Sequence, residues 1–121
     1  MDANDMKART RAFALRAIRL VGSLPRTPAA EVIGKQLLRC ATSVGANYRA
    51  ACRGRSPSEF VAKMGIVEEE ADESIYWLEL LADSGIVPRE KLADLMGEAD
   101  QLVRIIVASI RTARSKDKGL P

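Results

Sequence analysis

The chain has 121 residues, of which 47% are hydrophobic, 29% charged and 4% aromatic; its formal net charge is +3 and it contains no histidine. That length supports one domain around a single core, and the balance of apolar and charged residues excludes a disordered or collagen-like chain. The missing histidines remove Ser-His-Asp and Cys-His nucleophiles, His-ligated zinc and histidine proton shuttles from the chemistry open to this chain.

Few aromatic residues and many Ala and Leu favour helices over strands. No run approaches the roughly 20 apolar residues that span a bilayer. The opening MDANDMKARTRAF lacks the apolar core of a signal peptide, so the expected location is cytoplasmic, with no membrane contact.

A first helix is expected from about Asp5 to Val21, with Phe13, Ala14, Ala17, Ile18, Val21 and Leu24 at helical spacing. Gly22 and Pro25 end it, and Arg9, Arg16 and Arg19 share its outer face. A second helix opens at Thr27-Pro28, an N-cap followed by proline, and runs to Arg53 before Gly54. Ile33, Leu37, Ala41, Val44, Tyr48 and Ala51 form its apolar face. On the opposite face Lys35, Arg39, Arg49 and Arg53 lie within about 40° of one line. That cationic stripe is the candidate nucleic-acid contact. Ser43, Ala46 and Ala50 make a strip of small side chains where another helix can approach. Gly45 costs about 1 kcal/mol relative to Ala in a helix interior, so it serves packing or function, or else marks a slight bend. Cys40 and Cys52 stand twelve residues apart on this helix, about 18 Å, too far for a disulfide; they read as small semi-buried side chains.

Ser56-Pro57-Ser58-Glu59 is a capping box that starts a third helix. Phe60, Met64, Val67, Ala71, Ser74, Leu78 and Leu81 follow with gaps of 4, 3, 4, 3, 4 and 3, the spacing of a near-antiparallel packing seam. This helix ends near Ser84-Gly85. Its other face carries Ile66, Tyr76, Trp77 and Leu80 among Glu69, Glu70 and Glu73, more apolar surface than one buried stripe needs. Trp77 either caps one end of the core or anchors a subunit interface with Ile66 and Leu80. A fourth helix runs from Pro88 to about Arg114, its core side being Leu92, Leu95, Met96, Ala99, Leu102, Val103, Ile106 and Ile110. Ile105 and Val107 widen that stripe, and residues 115–121 form a polar tail. Four amphipathic helices with short connections predict an all-α, antiparallel up-down-up-down bundle, one domain over residues 1–121 with its core at about 5–114.

The net charge conceals a strong segregation: residues 1–55 carry +8, residues 56–100 carry −9 and residues 101–121 carry +4. Four helices rich in carboxylates raise a ferritin-like di-metal site, but Glu68, Glu69, Glu70, Asp72 and Glu73 crowd one helix and no Glu-x-x-His exists. Neither a metal nor a cofactor is expected. The glycines match no phosphate-loop fingerprint, and no spacing supports a catalytic residue, so the chain reads as non-enzymatic. The basic stripe then points to a nucleic acid, contacted through phosphates rather than bases. The plainer alternatives are a solvated face or pairing with the acidic third helix of the same subunit. The competing function is a protein-interaction scaffold whose basic and acidic faces pair between subunits.

Ser43-Val44-Gly45-Ala46-Asn47, followed by Ser56-Pro57-Ser58-Glu59-Phe60, resembles the motif of small bacterial four-helix-bundle proteins that include those encoded in intervening sequences of the 23S ribosomal RNA gene. The resemblance spans roughly residues 9–114. It implies a ring-shaped homo-oligomer, a pentamer, and makes Ile66, Tyr76, Trp77, Leu80 and Ile105 candidate interface residues. A related branch comprises accessory proteins of diversity-generating retroelements, which implies a reverse-transcriptase-like protein or RNA as a possible partner class. The chain departs from the common pattern at Tyr48-Arg49-Ala50-Ala51-Cys52, where many members carry an Ile-Ala-Glu-Gly-like segment.

Overall fold

Side-chain caps set where three of the four helices begin. The Asp2 carboxylate accepts from the Asp5 amide at 2.8 Å and opens α1 (Ala3–Gly22). Thr27 accepts from Ala30 at 3.3 Å ahead of α2 (Pro28–Cys52), with Pro28 in the first helical position. Ser56 accepts from Glu59 at 3.1 Å, and the Glu59 carboxylate accepts from the Arg55 amide at 2.9 Å, at the start of α3 (Pro57–Asp83). Each such cap contributes about 1 kcal/mol. α4 (Arg89–Asp117) follows Pro88. The structure, a computed structural model, describes residues 1–117.

Two glycines shape the turns. Gly85 has φ of +78°, a left-handed conformation that ends α3. A side chain on Gly54 would lie 3.1 Å from the Ala51 carbonyl oxygen and 3.2 Å from the Phe60 nitrogen, because the α2–α3 turn folds back onto the first turn of α3.

Consecutive helices pack along their lengths, and α4 returns to α1 over a shorter stretch. Gly45 beside Thr10 and Gly34 beside Val21 run α2 antiparallel to α1, and Gly54 beside Phe60 with Cys40 against Ser74 runs α3 antiparallel to α2. The fold is the expected four-helix bundle. α2 and α3 share the longest seam, on which the small side chains of Cys40 and Ser74 meet. Phe13, Leu37, Met64, Leu78, Leu81, Leu92, Leu102 and Ile106 fill the interior. Full burial of one such side chain favours folding by about 1.5–3 kcal/mol.

The core of α1 differs from its sequence pattern. Met6, Thr10, Phe13 and Ala17 are buried, whereas Ile18 is 46% exposed. The helix is rolled so that Thr10 meets α2, and its hydroxyl satisfies itself on the Met6 carbonyl at 2.9 Å. The Gly45 question resolves as close approach: a Cβ there would sit 3.2 Å from the Thr10 hydroxyl. α2 therefore meets α1 at Gly45 and α3 at Cys40, whereas Ser43 and Ala50 are half-buried and Ala46 is exposed. α4 also runs three residues past the expected Arg114, with Arg114 and Lys116 in its last turn facing the negative end of the helix dipole. Residues 118–121 of the anticipated tail lie outside the described residues.

Tyr48 is in the core, and burial, followed by its hydrogen bond with Cys52, pushes its phenol up to about 12. A raised phenol pKa means the folded state holds the neutral form. That stabilisation is complete below the unfolded value near 10 and is lost as pH rises through about 12, in total about 2–3 kcal/mol. Urea unfolding between pH 9 and 12 is expected to show a steeper alkaline loss for wild type than for Tyr48→Phe. Parallel curves would overturn this assignment.

Candidate nucleic-acid interface

The four cations of the predicted stripe lie on α2, and their surroundings divide them. Arg39 turns toward α3, where it pairs with Glu70 at 3.3 Å and with Glu73, while its Nε donates to Gln36 at 3.3 Å. Glu73 also accepts from the Trp77 indole at 3.1 Å, so Arg39, Glu70, Glu73 and Trp77 form one network across the α2–α3 seam. Lys35, Arg49 and Arg53 are exposed, and none is in an ion pair among the described residues.

Arg49 acquires neighbours that the α2 pattern did not show. It borders a groove of about 450 Å³ between α1 and α2, together with Lys7 and Arg11 from α1. The floor is Ala14, Thr42, Gly45 and Ala46, with Ala8 and Thr10 completing it. The groove exists because Gly45 draws the two backbones together while small side chains leave the space above them unfilled. Lys7 and Arg11 were missed as partners of Arg49; their i, i+4 spacing puts them on one face, and that was the available signal. Arg9, expected on the outer face of α1, instead pairs with Glu98 at 2.7 Å and donates to Gln101. That hydrogen bond with Glu98 holds its guanidinium above the ordinary arginine value. Arg16 and Arg19 border a smaller hollow of about 250 Å³ with Lys91.

The candidate interface residues differ in exposure and surroundings. Ile66 and Tyr76 are 39% and 52% exposed on α3, and Leu80 on the same helix is half-buried. Trp77 packs against the core, meets Tyr76 edge-on at 5.0 Å between ring centroids, and bonds to Glu73. Ile105 is half-buried on α4. It lines a groove of about 510 Å³ with Met1, Phe60, Ala108, Ser109 and Thr112.

Among the described residues no group of three or more His, Cys, Asp or Glu is placed to hold a metal ion. Both thiols are free; Cys40 is buried, accepts from Ser74 at 3.3 Å, and burial pushes its pKa up. No helix among the described residues is long and apolar enough to cross a membrane.

The sequence profile of a family described as 23S rRNA-intervening sequence protein matches residues 3–108. The chain is similar to a protein of unknown function from the S23 ribosomal protein family of Bacteroides thetaiotaomicron, known from its crystal structure. The two are 32% identical, the match covers 92% of this chain and 99% of that one, and the TM-score is 0.85. No curated protein matches the chain.

Proposed function

The chain belongs to the family of 23S rRNA-intervening sequence proteins, and from that premise we propose a non-enzymatic, homo-oligomeric cytoplasmic bundle that binds RNA or a ribonucleoprotein through its basic α2 face. The observation that carries this reading is the exposure of Lys35, Arg49 and Arg53 along one helix without acidic partners among the described residues. Such an array neutralises phosphates along a rigid line and releases their counterions. Arg39 belongs to the same stripe, but Glu70 and Glu73 hold it, so it contributes less. This in-chain pairing also weighs against the scaffold reading, because it occupies acidic groups that a neighbouring subunit's basic face would need. A reverse-transcriptase-like protein is the partner class if the bound RNA is part of a complex.

Fluorescence anisotropy with a structured RNA tests the proposal. Affinity should fall steeply between 50 and 200 mM salt, and Arg49→Glu with Arg53→Glu should weaken binding at least tenfold, about 1.4 kcal/mol. No measurable affinity at low salt, or an unchanged affinity in the double variant, would sink it.

The homo-oligomer rests on two unlike surfaces. A closed ring joins different patches of successive subunits. The exposed Ile66 and Tyr76 on α3, and the groove beside Ile105 on α4, are two such patches. Light scattering at micromolar concentration should give a multiple of the 13.2 kDa protomer. Ile66→Lys with Tyr76→Lys should shift it toward the protomer, with the helical signal kept because both side chains are exposed. A wild-type monomer removes the assembly.

A further inference from the structure

We infer that the α1–α2 groove is the phosphate-contacting centre of this protein, and that it takes the backbone of a nucleic-acid duplex rather than a single strand. The inference rests on the nucleic-acid reading above and moves its centre from the α2 stripe to the space between two helices. Lys7 and Arg11 border the groove from α1 and Arg49 borders it from α2. None of the three is in an ion pair among the described residues, whereas Arg9 and Arg39, on either side, are both committed to carboxylates. The floor between them is Ala14, Thr42, Gly45 and Ala46, which leaves a trough of about 450 Å³ without a bulky side chain to obstruct a phosphate ridge. Thr42 and Thr10 already donate their hydroxyls to backbone carbonyls of their own helices, at 2.7 and 2.9 Å, so the trough offers cations and little donor-specific readout.

The choice of duplex follows from where the aromatic rings are. Single-strand binding without sequence preference uses exposed rings as stacking platforms for bases. On α1 and α2 the only aromatic residues are Phe13 and Tyr48, and both are buried in the core. The exposed Tyr76 belongs to α3 and leans on Trp77, away from the groove lining. A face with cations and no rings holds phosphates whose bases are already stacked on each other. Recognition should then follow backbone geometry and ignore sequence.

Anisotropy titrations would compare an RNA duplex, a DNA duplex and single-stranded poly(A), each over 50–200 mM salt, with the intrinsic fluorescence of the single tryptophan recorded in parallel. Three neutralised phosphates contribute a salt slope of about −2.7, so the groove accounts for about a 40-fold loss of affinity across that range. Lys7→Gln with Arg11→Gln should reduce the slope by about 1.8, while Arg111→Gln on the exposed side of α4 should leave it unchanged. Duplexes should outcompete poly(A), and the comparison of RNA with DNA duplex tells which helix geometry is preferred. Trp77 emission should stay constant, because a ligand in the groove leaves Arg39 on Glu73. Binding that persists with full slope in the Lys7/Arg11 variant, accompanied by a Trp77 change, would place the ligand on the Arg39 side and overturn the groove while keeping the nucleic-acid reading. Preference for poly(A) would overturn the duplex. Loss of the oligomer in the Lys7/Arg11 variant would show that an acidic surface of another subunit occupies the trough. No binding by wild type to any of the three would remove the nucleic-acid reading itself.

Discussion

Phe13→Ala should lower the free energy of unfolding by about 3–5 kcal/mol. Phe13 is 1% exposed and is among the largest fully buried side chains of the protein. It sits on the shortest helix, which touches α4 over only a limited stretch, so few other contacts hold α1 to that side of the core. Removing the ring leaves a cavity in the interior, whose cost adds to the lost burial. For a chain of this size the midpoint of thermal unfolding should fall by about 10–20 °C. Ile18→Ala is the contrast: the same helix carries Ile18 at 46% exposure, and its truncation should cost less than about 0.5 kcal/mol. Equal losses from the two substitutions would mean that α1 is rolled the other way, with Ile18 in the core as its spacing alone predicts.

Gly45→Val should cost about 1–3 kcal/mol, although valine has the better helix propensity of the two. The Cβ would begin 3.2 Å from the Thr10 hydroxyl and 3.6 Å from the Thr10 carbonyl carbon. Thr10 is buried and cannot swing out, because its hydroxyl is held on the Met6 and Lys7 carbonyls. Two further methyl groups therefore push the α1 and α2 backbones apart. Gly45→Ala sets a gain of about 1 kcal/mol in propensity against the same crowding, and should be close to neutral. Urea unfolding of the two variants separates the contributions. A valine variant as stable as wild type would show that α1 shifts freely, and the groove would then be soft instead of built. Because Gly45 and Thr10 both line the groove, the valine variant should also weaken RNA binding.

The helix limits were legible because the signals are local. Thr27-Pro28 and Ser56-Pro57-Ser58-Glu59 cap their helices by bonds that reach only three or four residues, and no distant contact has to be known. The core of α3 was equally legible, since the heptad spacing from Met64 to Leu81 leaves one orientation that buries those side chains. α1 was not. Ile18 and Thr10 compete for the interior, and hydrophobicity favours the isoleucine. What decides the matter is the absence of a side chain at Gly45, more than thirty residues away, which admits a threonine whose polar group is satisfied within its own helix.

The candidate site divides along the same line. That α2 carries Lys35, Arg39, Arg49 and Arg53 on one face follows from 100° per residue, and the missing histidines exclude His-dependent chemistry whatever the fold. Both conclusions needed the sequence alone. Which of those cations remain available is a question of distances between helices. Arg39 is drawn off by Glu70 and Glu73, and Arg49 gains Lys7 and Arg11 across a groove. Helical periodicity reports the direction in which a side chain leaves its own axis. Only packing brings a second helix alongside, and electrostatic partnership depends on that separation.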